Sequence, residues 1–348
     1  MRLAHLITHA AAAAVLATGA FAQVNLSAET ASPGGATFLS PAHLAEIAGT
    51  RGIASIQLAD GQTLTNSLQN VAEGRTDLAA TPYILPFLMA NGAGPYGELG
   101  SERGAELVAN LRAINPFTLG VFVLYAYDAK NVSGWDGLEG LIVYNGPPRG
   151  GALNNARSII QIVTGLQEGE GYEGLQVNWG QQDSTVMGGE PDAMVLPELF
   201  PSSGFTTAAS AGNMTIWSTP ADIYDGEAFQ RFLNAPGIAP FTIDRAELQA
   251  IMGDEFSIVS DDETFRASAT VGGTVVHRDM DEGLVYDLVS AYIETIDELM
   301  AKAPFGNSVG FDLPMQGMCG ANPITYHPGA IRAWREAGYT IDECAVPS

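Results

Sequence analysis

Only two of the 348 residues are lysine, Lys130 and Lys302, and Lys and Arg together number 15 against 39 Asp and Glu. The resulting formal net charge of −24 gives a surface that repels nucleic acid and anionic lipid headgroups, which excludes both as partners. Cysteine is as scarce: Cys319 and Cys344 are the pair present, and they form no C-x-x-C motif. In an oxidising compartment they pair as one disulfide that pins the C-terminal tail; the alternative is two free buried thiols. Histidine beyond the first 22 residues is limited to His43, His277 and His327, far apart in sequence. A metal site needs several such ligands converging, so no metal and no cofactor is expected. Walker A and H-E-x-x-H motifs are absent, as are internal repeats and low-complexity tracts.

Long apolar runs are also missing after the first 22 residues, so nothing later in the chain reads as a membrane span. The start is different. Met1-Arg2 leads into an Ala/Leu/Val-rich stretch that ends in Ala20-Phe21-Ala22, an A-x-A cleavage signature. The expectation is a signal peptide over 1–22, cleavage after Ala22, no membrane anchor and a periplasmic mature protein. A hydrophobic content of 46% supports true cores, and the length suits two lobes.

Alternating patterns organise the rest. Gln23 to Gly35 is small and polar and reads as a flexible lead-in. Short helices are expected over Pro41–Ala48 and Thr63–Glu73, with a strand between them at Ile53–Leu58 and another opening at Asp77–Ala80. A helix from Ser101 to Ala113, with Ser101 as its N-cap, precedes a long apolar and aromatic strand at Thr118–Tyr127. Leu141–Tyr144 is a buried strand, Leu153–Leu166 a helix and Ala193–Leu196 another strand. Phe265–His277 is strand-like around Gly272-Gly273, and Leu284–Ala301 is one long helix. His327-Pro328-Gly329 reads as a turn that opens the helix Ala330–Ala337. Strands and helices in alternation define an α/β protein.

The most informative segment is Asn145-Gly146-Pro147-Pro148-Arg149-Gly150-Gly151-Ala152, between a strand and a helix. Such a loop presents backbone N–H groups at a helix N-terminus and attracts anions; the alternative is glycine serving tight packing. Arg149 favours the anion. Gly92-Ala93-Gly94-Pro95-Tyr96-Gly97 matches G-x-G-x-x-G, but its prolines and context fit a plain surface loop better than a dinucleotide site. Asp192, where a loop enters a strand, is either structural or part of a cleft wall.

Six segments in order resemble the TAXI family of solute receptors that serve tripartite ATP-independent periplasmic (TRAP) transporters. They are Gly34-Gly35-Ala36-Thr37-Phe38; Gly61 to Leu78; Leu138-Glu139-Gly140 through Arg157; Asp192-Ala193; Leu284-Val285-Tyr286-Asp287-Leu288-Val289; and Tyr326-His327-Pro328-Gly329-Ala330-Ile331-Arg332. The resemblance implies an α/β, two-lobed periplasmic binding protein (type II-like) with a ligand cleft between the lobes. Lobe 1 is expected over 23–122, lobe 2 over 123–270, and a return to lobe 1 over 271–348. Crossover strands are expected near Thr118–Tyr127 and Ala269–Val276. It further implies a non-enzymatic receptor that binds a small organic anion, a carboxylate or amino acid, and hands it to the membrane subunits of a TRAP transporter. The candidate ligand-binding residues are Thr37, Phe38, Ser67, Thr81 and Tyr83 from one lobe and Arg149, Gly150, Gly151, Ala152, Asn155 and Asp192 from the other. Where the family has G-S-G-T, this chain has Arg149-Gly150-Gly151-Ala152: two hydroxyls are gone and a cation is gained. In Gly61–Asp77, Thr63, Thr65, Asn66 and Ser67 compete for the family's polar positions. Two other readings are a receptor for an ATP-driven importer or sensor, and an exported hydrolase using Ser184 or Ser218.

Overall fold

The computed structural model describes residues 24–31, 33–148, 151–303 and 305–348. The expected signal peptide, Arg149 and Gly150 lie outside the described residues.

Twelve strands form the framework: β1 (Val24–Glu29), β2 (Ala54–Ala59), β3 (Leu78–Pro82), β4 (Leu111–Tyr127), β5 (Ile142–Tyr144), β6 (Glu173–Leu175), β7 (Ala193–Glu198), β8 (Met214–Trp217), β9 (Ile238–Asp244), β10 (Phe256–Val259), β11 (Thr264–His277) and β12 (Thr325–Tyr326). Eight of them join in the order β2-β1-β3-β11-β4-β7-β5-β6, while β8 and β12 pair with β4, β9 with β11 and β10 with β8. β1, β2 and β3 run parallel at one end, and β5, β6 and β7 run parallel at the other. Between them β4 and β11 pair antiparallel. This is a two-lobed α/β fold. Parallel neighbours need helical crossovers, and the strand–helix alternation of the sequence supplies them.

β4 and β11 belong to both lobes. The first part of β4 contributes Leu111, Ala113, Ile114 and Phe117 to one core, with Val271, Val275 and Val276 of β11 and Trp334 of the C-terminal helix. Its second part alternates. Val121, Val123 and Tyr125 point into a second core with Phe200, Phe205 and Phe265. Phe122, Leu124 and Ala126 point the other way, onto Ala156, Ile159 and Ile160 of the helix Gly151–Thr164. A strand buried on both faces reads as an unbroken apolar run, which is why this segment shows no alternation in sequence.

Three expectations are corrected. Val24–Glu29 is a strand inside the sheet, not a flexible lead-in; Leu26 and Ala28 alternate into the core and every residue pairs with β2. The helix expected over Ser101–Ala113 is Gly100–Val108 with no side-chain cap, because Leu111 onward is committed to β4. The long helix expected over Leu284–Ala301 breaks at Thr295, giving Glu282–Glu294 and Ile296–Ala301. The Thr295 hydroxyl bonds back to the Ala291 carbonyl at 2.8 Å, a bond that competes with regular helix geometry. His327 opens the last helix, Pro328–Glu336, by accepting the Gly329 N–H at 3.3 Å.

Gly272 and Gly273 let β11 lie close against β3 and the turn after it. A Cβ on Gly273 would stand 2.6 Å from the Asn115 carbonyl oxygen and collide with the hydroxyl of the fully buried Tyr83. Backbone on one side and a packed ring on the other leave no room to yield. Gly273→Ala is therefore expected to cost about 1–3 kcal/mol, the range for overpacking a filled core, read as a lower midpoint in urea unfolding. An unchanged midpoint would mean that Tyr83 can turn aside.

Candidate functional site: the cleft between the lobes

Parallel strands carry their following loops at their C-terminal ends, where open α/β sheets bind ligands. Here the ends of β3, β5 and β7 converge on one cavity of about 400 Å³. Pro82, Ile84 and Leu85 close it from the first lobe. Leu119 and Phe122 of β4 and Thr270 and Val271 of β11 form its floor at the strands that the lobes share. The second lobe adds Gly151, Ala152 and Asn155 from the first turns of the helix Gly151–Thr164, with Trp179 and Pro197; Pro236, Gly237 and Ile238 complete the lining.

The loop before that helix is held from below. Gly146 adopts φ +118°, a conformation that suits glycine. The fully buried Asn145 donates to Glu168 Oε2 at 2.7 Å and accepts from Gln176 Nε2 at 2.8 Å. Arg157, on the helix, bonds the same Glu168 at 2.8 and 2.5 Å. These hydrogen bonds from Arg157 hold the Glu168 carboxyl below its ordinary value, against the burial that raises it. Loop and helix are thus tied to one carboxylate, which fixes where the helix N-terminus points. No Asp, Glu, Lys or Arg lies among the described residues of the cavity wall, so the partial positive charge of that terminus meets no competing carboxylate.

Of the residues expected from sequence, Gly151, Ala152 and Asn155 line the cavity. Among the described residues the Asn155 side chain has no hydrogen-bond partner. Thr37 and Phe38 sit half-buried in the first turn of the helix Ala36–Thr50 and do not line it. Ser67 is fully buried on the helix Leu64–Ala72, its hydroxyl donating to the Thr63 carbonyl at 3.4 Å. Thr81 and Tyr83 are fully buried, facing inward, while Pro82 and Ile84 between and beyond them face the cavity. Strand alternation turns the polar candidates away from the cleft and the apolar ones into it. Asp192 stands at the other end of β7. Burial raises its carboxyl, but the Ile142 N–H (3.0 Å) and Lys130 (3.1 Å) outweigh it and keep the group below its usual value. It is a structural anchor. Cys319 and Cys344 are bonded.

Sequence reasoning passed over two residues. Trp179, in a short turn Trp179–Gln181, lines the cavity while remaining 45% exposed. Its signal was an aromatic ring set in a polar, glycine-bearing run. Glu198 follows Pro197 on β7 and points to the opposite face, where it is buried. Tyr125 donates to it at 2.7 Å and Gln182, just after the Trp179 turn, at 2.9 Å. Burial pushes its carboxyl up to about 7.

The family model for the NMT1-like family matches residues 29–338. This chain belongs to the NMT1-like family. The match spans both lobes and every cavity-lining residue. Several solved structures resemble this NMT1-like protein over most of its length. A TRAP periplasmic solute binding protein from Rhodobacter sphaeroides is 16% identical, covers 90% of each chain and has a TM-score of 0.45. A putative sulfonate ABC transporter's periplasmic sulfonate-binding protein from Methylobacillus flagellatus is 11% identical, over 91% of this chain and 88% of that one, with a TM-score of 0.44. The periplasmic ectoine-binding protein of a TRAP transporter from Halomonas elongata is 10% identical over 90% of each chain, with a TM-score of 0.42. Likenesses this distant do not choose among ligands or transporter classes. A search of curated proteins finds no match.

Proposed function

We propose that this NMT1-like protein is an extracytoplasmic solute receptor that captures a small organic anion and delivers it to the membrane subunits of a TRAP-type transporter. One observation carries the reading: a cavity of about 400 Å³ lies between two lobes, against the strands they share, with the N-terminus of a 14-residue helix opening on it. The backbone N–H groups at that terminus suit a carboxylate, and Asn155 stands ready to donate beside them. Arg149, two residues before Gly151 in the sequence, adds a cation to the loop. A solute touching both walls binds the closed arrangement better than an open one and so shifts the population toward closure. The leader-like start supports a periplasmic location, and the ordered TAXI-like segments support a TRAP partner.

A non-catalytic role fits the serines considered for hydrolysis. Ser218 spends its hydroxyl on backbone, donating to the Thr219 carbonyl and accepting the Arg266 N–H at 2.8 Å. Ser184 donates to the Gln181 carbonyl at 2.9 Å. His43 bonds Thr295 and Lys302, and His327 bonds the Met280 carbonyl, so neither ring is engaged with these serines.

The test is a thermal-shift screen of the mature protein against small carboxylates, neutral sugars and cations. A bound carboxylate at 100 times its Kd stabilises by about 2.7 kcal/mol, and Asn155→Ala lowers its affinity. A melting point moved only by sugars or cations would sink the anion assignment. TRAP membrane subunits encoded beside the gene would check the transporter class.

A further inference from the structure

We infer that the solute is a monoanion with an apolar, ring-sized body packed against Trp179, rather than a dicarboxylate or a polar amino acid. The inference rests on the receptor reading above and names the class of solute within it. The wall of the cavity carries it. Ile84, Leu85, Leu119, Phe122, Ile238 and Val271 surround the space, and Asn155, Thr270 and the indole N–H of Trp179 are the polar side-chain groups among the described lining residues. Thr270 already donates to the Gly120 carbonyl at 3.2 Å. That leaves two side-chain donors among the described lining residues, the Asn155 amide at the helix N-terminus, where a single anionic head would lie, and the indole N–H of Trp179 at the rim. A second carboxylate or an ammonium deeper in the cavity would lose its water and find no opposite charge among the described lining residues. Such a group is costly to bury. An apolar body meets the opposite situation, because each buried carbon gains from leaving water.

Trp179 sharpens the class. A large aromatic side chain left 45% exposed at the rim of an apolar cavity has surface still to cover. A flat apolar group laid on it removes water from both partners and adds the preference of aromatic faces for one another. The turn that carries Trp179 is not loose: the next residue after it, Gln182, is tied to the buried Glu198 at 2.9 Å. The volume of about 400 Å³ lies toward the lower end of the roughly 300–1,000 Å³ of small-molecule sites, enough for one ring and a short acidic arm.

The test pairs apolar monoanions, phenylacetate and 4-methylpentanoate, with succinate and glutamate, titrated into the mature protein. Melting temperature and tryptophan emission are read together. Trp135 and Trp334 are buried, so emission responds chiefly to Trp179 with a smaller part from Trp217. Phenylacetate is expected to raise the melting temperature, change the emission and bind at least tenfold tighter than succinate or glutamate. Trp179→Ala should lose most of that advantage and Trp179→Phe should keep it. If succinate or glutamate binds as tightly as phenylacetate, or Trp179→Ala leaves phenylacetate affinity unchanged, the solute class is overturned and the receptor reading stands. If no anion of either series moves the melting temperature, the receptor reading falls and takes this inference with it.

Discussion

Glu198→Gln is expected to make the folded protein more stable at pH 8, by roughly 3 kcal/mol, and to flatten its loss of stability between pH 5 and 8. The reason is the buried carboxyl behind the cleft wall. Its pKa is raised from the ordinary 4.5 to about 7, because burial disfavours the charged form more than the hydrogen bonds from Tyr125 and Gln182 favour it. The negative charge of Asp183 adds to the rise. In the unfolded chain the group ionises near 4.5, so the native state holds a proton that the unfolded state has lost. Below pH 4.5 both states are protonated and the group costs nothing. Between pH 4.5 and about 7 the unfolded chain gives up a proton that the native carboxyl keeps, so stability falls across that window and levels off above it. A displacement of this size corresponds to roughly 3 kcal/mol, present in full above about pH 7. Glutamine keeps a carbonyl to accept both hydrogen bonds and cannot ionise. Urea unfolding of parent and variant at pH 5 and pH 8 decides the matter. The idea is wrong if the difference between the two proteins does not grow with pH.

The second large effect concerns the C-terminal tail. Cys319→Ser with Cys344→Ser is expected to lower stability by about 3–4 kcal/mol, the chain-entropy value for a closed loop of this length, the two positions being separated by 25 in sequence. The bond ties two segments that serve the cleft indirectly. Gly317, two residues before Cys319, packs so closely on Val271 and Tyr83 that a side chain there would collide with Val271. Val271 lines the cavity. At the other end, Cys344 belongs to the short turn Glu343–Ala345, whose Ala345 is fully buried in the first-lobe core. Cys319 itself sits at φ +83°, a conformation that costs a non-glycine residue energy and persists only where the surroundings hold it. Unfolding with and without a reductant measures the contribution. A loss under about 1 kcal/mol would show that packing alone secures the tail, chiefly Trp334 with its indole N–H on the Ile114 carbonyl at 2.9 Å.

The elements legible in the sequence are those with a strong local pattern. Leu153, Ala156, Ile159 and Ile160 recur at helical spacing and form the buried stripe of Gly151–Thr164. The glycine-bearing turn before it lies where a strand gives way to a helix, and its far end meets the cavity. Elements set by distant partners were harder to read. Val24–Glu29 looks loose because Asn25, Ser27 and Glu29 are polar; its order comes from β2 and β3 on either side, and from Asp77, which accepts the Ser27 N–H at 2.7 Å. The end of the helix after Val108 is set by β11 and β12, which claim the residues from Leu111 onward.

The cleft divides the same way. By itself the sequence determined an acidic α/β chain, a leader-like start and a glycine-rich turn at a helix N-terminus, because charge, apolar periodicity and glycine placement act locally. Only the tertiary structure decided what faces the cavity. Ser67, Thr81 and Tyr83 carry the polar groups one would choose for a binding site, yet the register of β3 and the packing of the helix Leu64–Ala72 bury them in the first lobe. Pro82, Ile84, Leu119 and Trp179 take the wall instead. Which face of a strand meets a cleft depends on pairings with segments far away in sequence, β3 with β11 and β11 with β4, and a one-residue change in that register would exchange every wall residue for its neighbour.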